Sequence, residues 1–332
     1  MFIRPLFRIV PDGTRIQFMR GRIMGLVVSA VLSTASIVLF FYPGLNLGID
    51  FSGGIVMEVR TPGPTDFTKI RAALASEHVG EQGVQRFGDA DQVLIRLQSQ
   101  PTEAATQQAV SRIRVALEKA EPGTKVMRTD AVGASVSAEL FRDGLLALGI
   151  SLLMILVYIW FRFEWQFAVG AVVTLILDVT KAVGFLALTR IEFDLVMVAS
   201  ILTVIGYSTN DKVVVYDRVR ENLRKYKTMP LRQLIDLSIN ETLNRTLGTS
   251  MTVFLASLPL ALFGGASISG FAWVMLFGIV VGTSSSIFIA APILLFLGEN
   301  RLRRDNAPTP TPAVKASPGI KAPPATKAPR VK

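Results

Sequence analysis

The feature that most constrains this chain is a series of long apolar stretches. About 20 apolar residues are what an α-helix needs to cross the hydrocarbon core of a bilayer. Of the 332 residues, 50% are hydrophobic and only 18% are charged. The stretches occupy residues 23–42, 144–160, 165–188, 195–216, 247–266 and 270–297. The pattern predicts an α-helical membrane protein with six transmembrane helices.

The first apolar stretch is expected to be an uncleaved span. Five arginines within residues 1–22 precede it, which resembles the basic start of a signal peptide. A signal core has about 7–15 apolar residues and is followed by a small-x-small cleavage pattern. Residues 23–42 form a longer run that ends simply at Pro43 and Gly44. We therefore expect a cytoplasmic N-terminus at 1–22 and a first transmembrane helix at 23–42.

The basic residues predict the orientation of the chain. The net charge is +10, and lysine and arginine gather in short cytoplasmic loops of membrane proteins. Segment 217–246 is rich in both, whereas loops 189–194 and 267–269 contain only Arg190. This distribution favours membrane flanks over nucleic-acid binding and predicts that both termini are cytoplasmic. Residues 143–298 then form a five-helix membrane domain with a cytoplasmic loop at 217–246. The Pro-, Ala- and Lys-rich tail at 299–332 is expected to be disordered.

Residues 43–142 are polar and predict one small periplasmic α/β domain. Thr65 and Thr102 are expected to cap two helices, the first carrying Phe67, Ile70, Ala73 and Leu74 on one face. Strands are predicted at 55–61, 84–87, 92–97 and 125–128, the middle two joined at Gly88-Asp89. The order β-α-β-β-α-β suggests a ferredoxin-like layer.

Four charged residues fall inside predicted spans. They are Asp178 and Lys181 in the third, and Asp211 and Lys212 in the fourth. Each charge near the bilayer centre costs about 2.5–3.5 kcal/mol. Asp178 and Lys181 share a helix face, so they form either a structural ion pair or part of a proton path.

Adjacent residues lie about 100° apart around a helix, so Asp211 and Lys212 cannot face one partner. We expect Asp211 to titrate, or else to be paired structurally. Lys212 is expected to snorkel or to pair with Asp178. Arg245 follows Glu241 by one turn and is either an interfacial anchor or a partner for a carboxylate.

Other motifs indicate packing rather than chemistry. Gly278 and Gly282 form a GxxxG pattern that lets helices approach closely. Gly206-Tyr207-Ser208 permits a local break or close contact, and Pro230 is expected to open a short cytoplasmic helix lying on the membrane surface or docking a partner. His78, the only histidine, is expected at a domain surface.

No catalytic function is predicted. The chain has no cysteine, no histidine pair, no HExxH motif and no GxxxxGK[ST] phosphate loop. These patterns would be needed for recognisable nucleophile, metal or nucleotide sites. We therefore expect no enzyme activity, no metal, no cofactor and no nucleic-acid partner.

Three segments resemble one family. LGIDFSGG at 47–54, EFDLVMVASILTVIGYSTNDKVVVYDRVREN at 192–222 and SINETLNRT at 238–246 are similar to the SecF family of bacterial protein-export membrane proteins. The likeness runs from about residue 7 to residue 302. It implies membership of the resistance-nodulation-division superfamily, a bacterial inner-membrane location and work with SecD and the SecYEG translocon, with YajC and YidC as further candidates.

The resemblance also implies roles for residues. The family is thought to use the proton gradient to move an exported polypeptide outward. Asp211 falls on its proton-linked aspartate and Arg245 on the arginine beside it. Asp50, Phe51, Gly53 and Gly54 fall on a junction motif, expected to be a hinge.

Lys212, Lys181 and Leu177 depart from many relatives, which leaves the partner of Asp211 open. The alternatives are a passive assembly subunit or an efflux component, although efflux pumps usually have two much larger external domains.

Overall fold

The computed structural model describes residues 11, 14–77, 81–86 and 90–297. Residues 1–10, His78, the expected turn at Gly88-Asp89 and the tail at 299–332 lie outside the described residues.

Long helices make up most of the described chain. The helices are α1 (Arg22–Phe41), α2 (Ile49–Ser52), α3 (Phe67–Ser76), α4 (Glu103–Ala120), α5 (Ala134–Arg162), α6 (Trp165–Thr189), α7 (Leu195–Lys225), α8 (Leu231–Phe263), α9 (Ala266–Ser285) and α10 (Ala291–Phe296). A π-helical turn, Ser286–Ala290, joins α9 to α10 without a break. The strands are β1 (Asn46–Leu47), β2 (Gly54–Arg60), β3 (Glu81–Arg86), β4 (Gln92–Leu97), β5 (Lys125–Val132) and β6 (Glu192–Phe193).

Five helical segments are long and apolar enough to cross a membrane: Arg22–Phe41, Ala134–Arg162, Trp165–Thr189, Leu231–Phe263 and Ile268–Phe296. Helix α7 is 31 residues long, but Asn210, Asp211 and Lys212 interrupt its apolar character. The chain therefore has several apolar membrane-spanning helices, and the count of six stays a prediction that depends on α7.

The extramembrane part is a four-stranded sheet in the order β3-β4-β2-β5, with every neighbouring pair antiparallel. Alternate residues of β2 point to one face because side chains alternate along a strand. Ile55, Met57 and Val59 are buried there and lie opposite buried residues of β4. Helices α3 and α4 cover this face with Ile70, Leu74, Ala109, Ile113 and Leu117.

The predicted caps of this domain have different outcomes. Thr102 caps α4 as expected, its hydroxyl accepting a hydrogen bond from the Ala105 amide at 3.2 Å. The expectation for Thr65 was wrong. Asp66 caps α3 by accepting from the Thr68 and Lys69 amides, because a carboxylate one residue later reaches both free amides, while Thr65 contacts the hydroxyl of Thr61. Residues 134–142, which were assigned to this domain, form the first part of helix α5.

Two further expectations concerned segment 217–246. Most of it is helical, because α7 continues to Lys225 and α8 begins at Leu231. The prediction of a separate surface helix after Pro230 was wrong, because α8 runs unbroken from Leu231 to Phe263. Its Leu231, Leu234 and Ile235 are buried in a cluster that includes residues from the end of α7. An apolar helix face is stabilised by packing, and here α7 supplies the surface.

The junction between α1 and the sheet contains a glycine that the fold requires. Gly54 begins β2 with φ of 124°, and a Cβ atom there would lie 2.5 Å from the carbonyl oxygen of Leu97. Residues other than glycine rarely adopt positive φ, and no side chain could fit between β2 and β4 at this point.

We therefore expect Gly54→Ala to lower the free energy of unfolding by about 2–4 kcal/mol, from backbone strain and overpacking. Thermal unfolding of the purified full chain in detergent measures this. Gly63→Ala is the matched control, because nothing lies within 4 Å of a Cβ atom at Gly63. Equal midpoints for the two variants would contradict the prediction.

Candidate functional site

The candidate site is a group of four buried charges between α6 and α7. Asp178 and Lys181 are on α6, and Asp211 and Lys212 are on α7. Their exposed fractions are 2%, 4%, 5% and 1% respectively. Isolated charges are rarely buried to this extent, because their loss of hydration must be offset by partners. The partners divide the group into two parts.

Asp178 is the centre of the first part. Lys212 Nζ lies 2.8 Å from its Oδ2 atom, and Lys181 Nζ lies 3.7 Å from its Oδ1 atom. The hydroxyls of Ser208 and Ser285 donate to the same Oδ2 at 2.8 and 2.7 Å. Lys212 also donates to the Ser208 carbonyl at 3.3 Å and to the Ser208 hydroxyl. One carboxylate thus joins α6, α7 and α9.

Asp211 forms the second part and faces away from the lysines. The hydroxyl of Ser286 donates to its Oδ2 at 2.5 Å. Thr246 of α8 lies beside the same carboxyl, although its hydroxyl has no hydrogen-bond partner among the described residues. Within the described part of the chain, Asp211 forms no ion pair. Ser286 begins the π-helical turn, a distortion that occurs often at functional sites.

Arg245 is not part of this cluster. Its side chain is exposed on α8, while the next residue, Thr246, is buried. Glu241, one turn earlier, instead accepts hydrogen bonds from Arg218 and Asn222, both at 2.7 Å. Both donors are therefore committed to Glu241, and Arg245 takes no part in this contact. The structure therefore does not bring Arg245 to Asp211.

Small residues allow α9 to approach α7 closely at the cluster. A Cβ atom on Gly278 would lie 2.3 Å from Val204, and one on Gly282 would lie 3.0 Å from Ser208. The GxxxG face thus packs against α7 directly. Tyr207 extends the polar contacts, donating to the Ser250 hydroxyl at 3.0 Å.

The junction motif contacts the start of α7. The Asp50 Oδ2 atom accepts a hydrogen bond from the Leu195 amide at 3.1 Å, so it shares with Asp194 the role of capping this helix. Phe51 packs against Phe141 and Phe193, with ring centroids 5.5 and 5.3 Å apart. β1 also pairs with β6 in parallel. Residues 46–51 are therefore attached to the N-terminal end of the helix that carries Asp211.

An ion pair attaches the sheet to the same place. Arg96 of β4 lies 2.5 Å from Glu192 of β6, with 13% and 33% of the two side chains exposed. Burial raises the pKa of Glu192, and Arg96 opposes this rise. Burial also raises the pKa of the neighbouring Asp194.

Sequence reasoning missed several of these residues. Ser285, Ser286 and Thr246 were not predicted as partners of the carboxylates, and neither Arg96 nor Glu192 was singled out. A signal existed for the serines, because three consecutive serines at 284–286 interrupt an apolar span, where hydroxyls often bond across helices. In the described residues, no group of three or more His, Cys, Asp or Glu side chains could hold a metal ion.

Comparison with known proteins identifies the family. Residues 112–300, more than half of the chain, match the family model "Protein export membrane protein SecD/SecF, C-terminal", and residues 38–61 match "SecD/SecF GG Motif". The protein translocase subunit SecF of Cereibacter sphaeroides is 42% identical over 301 residues, which cover 89% of this chain and 93% of the relative. This chain belongs to the SecF family. The SecF of Rickettsia rickettsii is 43% identical over 295 residues, covering 89% of this chain and 95% of the relative.

Solved structures agree with this SecF assignment. The crystal structure of SecDF, a translocon-associated membrane protein from Thermus thermophilus, has a TM-score of 0.78 and 30% identity to this chain. A SecDF crystal structure in the super-membrane-facing form has a TM-score of 0.63 and 29% identity. The matches cover 89% and 91% of this chain but 40% and 41% of the SecDF chains. This SecF chain thus spans less than half the length of SecDF.

The two lysines should differ in their coupling to Asp178. We expect a double-mutant cycle of Asp178→Asn and Lys212→Met to give a coupling energy of about 1–3 kcal/mol, because this pair is at 2.8 Å. The cycle with Lys181→Met should give less, because that pair is at 3.7 Å. Thermal unfolding of the full chain in detergent measures both, and equal coupling energies would argue against the observed pairing.

The contribution of Arg96 to stability should depend on pH. Burial raises the pKa of Glu192, so the titration of Glu192 by itself favours the folded state at low pH, and Arg96 offsets the cost of ionising Glu192 at higher pH. Glu192 is ionised only above its raised pKa, so the ion pair is present at high pH and lost as pH falls through that value. Arg96→Gln should therefore reduce the free energy of unfolding by about 1–3 kcal/mol at pH 8 and have little effect at pH 4. Chemical or thermal unfolding at both values tests this. With Glu192→Gln as background, the pH dependence of the Arg96→Gln effect should disappear; its persistence would assign the effect to another group.

Proposed function

We propose that this SecF-family chain is a proton-coupled transport subunit, not an enzyme, that helps move polypeptides across the bacterial inner membrane. It works with SecD and the SecYEG translocon, and YajC and YidC are candidate neighbours. Support comes from the relatives, which are named protein translocase subunits, and from the SecDF structure, whose protein is described as translocon-associated.

The proposed topology has six spans. Helix α7 is the additional span, because most of its length packs between other membrane helices and its charges find partners there. Both termini and the hairpin of α7 and α8 are cytoplasmic, in line with the concentration of basic residues at 217–246. The α/β domain is periplasmic and ferredoxin-like, as supported by its β-α-β-β-α-β order and antiparallel sheet.

The observation that carries the proton-coupled role is the unequal pairing of two buried carboxyls. Asp178 has two lysines within 4 Å, so protonating it would leave two ammonium groups without a counter-charge. Asp211 is equally buried but has a serine hydroxyl as its partner. Adding or removing a proton at Asp211 therefore breaks no ion pair. Of the two, Asp211 is the carboxyl suited to cycle.

Coupling to movement requires a second environment for Asp211. In the present arrangement Thr246 faces the cluster and Arg245 does not. Adjacent residues are about 100° apart around a helix. A rotation of α8 by about 100° around its own axis would therefore put Arg245 in the place of Thr246 beside Asp211. Arg245 would then stabilise the ionised form of Asp211. One proton crossing 100 mV supplies about 2.3 kcal/mol, enough to bias such a two-state change.

We expect Asp211→Asn to abolish the part of polypeptide export that depends on the proton gradient. Asparagine keeps the size of the side chain and can still bond to Ser286, but it cannot exchange a proton at neutral pH. The measurement is export into vesicles containing the full complex, with and without an imposed gradient.

The matched control is Asp217→Asn, which removes a carboxyl from the same helix at an exposed ion pair with Arg162. This control should keep its response to the gradient. A passive assembly subunit would behave differently, because Asp211→Asn would then either lower the abundance of the complex or change nothing. An unaltered gradient response of Asp211→Asn at normal abundance would end the proton-coupled proposal.

A further inference from the structure

A basic cleft lies at the end of the helix bundle that is distant from the α/β domain. It has a volume of about 560 Å³ and opens between the α5–α6 turn and the last turns of α7. Four basic side chains and two acidic ones line it: Arg162, Arg220, Arg224, Lys225, Asp217 and Glu221. The lining therefore carries a formal excess of two positive charges.

The acidic residues of the cleft are already neutralised. Asp217 pairs with Arg162 at 2.6 Å, and Glu221 pairs with Arg218 at 2.6 Å. Neither carboxylate is available to balance the remaining basic groups.

Two of the basic residues are exposed and lie outside the close ion pairs of the cleft. Arg224 forms no ion pair with any described residue, and Lys225 lies over the ring of Tyr226 at 5.0 Å. Arg220 pairs with Glu164 at 2.9 Å, yet its Nε atom is buried without a hydrogen-bond partner in the described chain. An anion in the cleft would thus meet Arg224 and Lys225, two exposed cations that form no ion pair within 4 Å with a described residue.

The aromatic residues beside the cleft indicate its depth. Trp160, Phe161 and Trp165 flank Arg162 at the α5–α6 turn, with exposed fractions of 67%, 86% and 43%. Exposed tryptophan at the end of a membrane helix is typical of the headgroup level of a bilayer. The cleft therefore opens where lipid phosphates lie, beside an apolar surface that faces the acyl chains.

We propose that this cleft binds the headgroup of an anionic phospholipid. The phosphodiester lies against Arg224 and Lys225, and the acyl chains extend along Phe161 and Trp160. Basic pockets between membrane helices are suited to such headgroups. A soluble anion would use only the cations, whereas a lipid uses the cations and the adjacent exposed aromatic surface together. The proposal requires that the chain is a membrane protein, and it is independent of proton transfer at Asp211.

The test compares lipid retention by the full chain and by the Arg224→Gln/Lys225→Gln double variant. Native mass spectrometry counts the lipids retained from mixed micelles of detergent with phosphatidylglycerol or cardiolipin, and phosphatidylcholine is the neutral comparison. Each basic residue near a membrane contributes about 1 kcal/mol to the binding of anionic lipid. Removing two of them should therefore weaken binding by the double variant roughly 30-fold. Binding of phosphatidylcholine should not change.

The control is Arg15→Gln/Arg232→Gln, which removes the same charge from exposed residues outside the cleft. Thermal unfolding without added lipid should be similar for all three proteins, because the four substituted side chains are exposed and each pair of substitutions removes one longer-range attraction at most, Lys225 with Glu241 in one variant and Arg232 with Asp236 in the other. Equal weakening by both double variants would mean that only the diffuse charge matters, and no weakening by either would also overturn the proposal. The proposal would also be overturned if inorganic phosphate stabilised the protein against thermal unfolding as much as phosphatidylglycerol does, because the ligand would then be a soluble anion.

Discussion

The ion pair between Asp178 and Lys212 is the interaction on which the helix bundle depends. Removing either charge alone from so buried a pair typically costs about 3–5 kcal/mol, because its partner stays buried without compensation. The pair connects α6 to α7, and Ser285 brings α9 to the same carboxylate. Three helices therefore keep one relative register. The small residues Gly278 and Gly282 permit that register by letting α9 lie directly against α7.

This arrangement separates two carboxyls that look alike in sequence. Both are aspartates in the middle of apolar stretches, and each has a lysine close by in sequence. Lys212 directly follows Asp211, and Lys181 follows Asp178 by three residues. In the fold, both lysines turn towards Asp178 and leave Asp211 to Ser286 and Thr246. In the proposed function Asp178 is therefore the structural carboxyl, and Asp211 is the one that can change its charge without breaking an ion pair.

Much of this could be predicted from sequence, where the signal was local. The apolar stretches, the strand at 92–97 and the Thr102 cap are set by residue periodicity and by side chains that bond to their own backbone. Helix geometry predicted that Asp211 and Lys212 cannot face the same partner, and pairing with Asp178, one of the two alternatives given for Lys212, is the one observed.

Contacts between distant segments could not be predicted in the same way. The serines of α9, the position of Thr246 and the Arg96–Glu192 pair depend on which helices become neighbours, and no periodicity in a single segment encodes that. The continuity of α8 was missed for a related reason. Pro230 was interpreted as the start of a short isolated helix, whereas packing against α7 holds that turn in line with the span that follows.

The attachment of Asp50 to the first amide of α7 gives the junction a mechanical meaning. From Leu195 to Asp211 the helix rises about 24 Å at 1.5 Å per residue. If it pivots as a stiff rod about its capped end, a tilt of only about 5° shifts Asp211 sideways by about 2 Å, which is a large fraction of a hydrogen-bond length. Because Lys212 is the next residue, the Asp178–Lys212 ion pair opposes such a tilt. A rocking of the sheet, transmitted through Asp50 and the Arg96–Glu192 ion pair, would therefore have to strain the buried charge cluster before it could change the contact between Asp211 and Ser286.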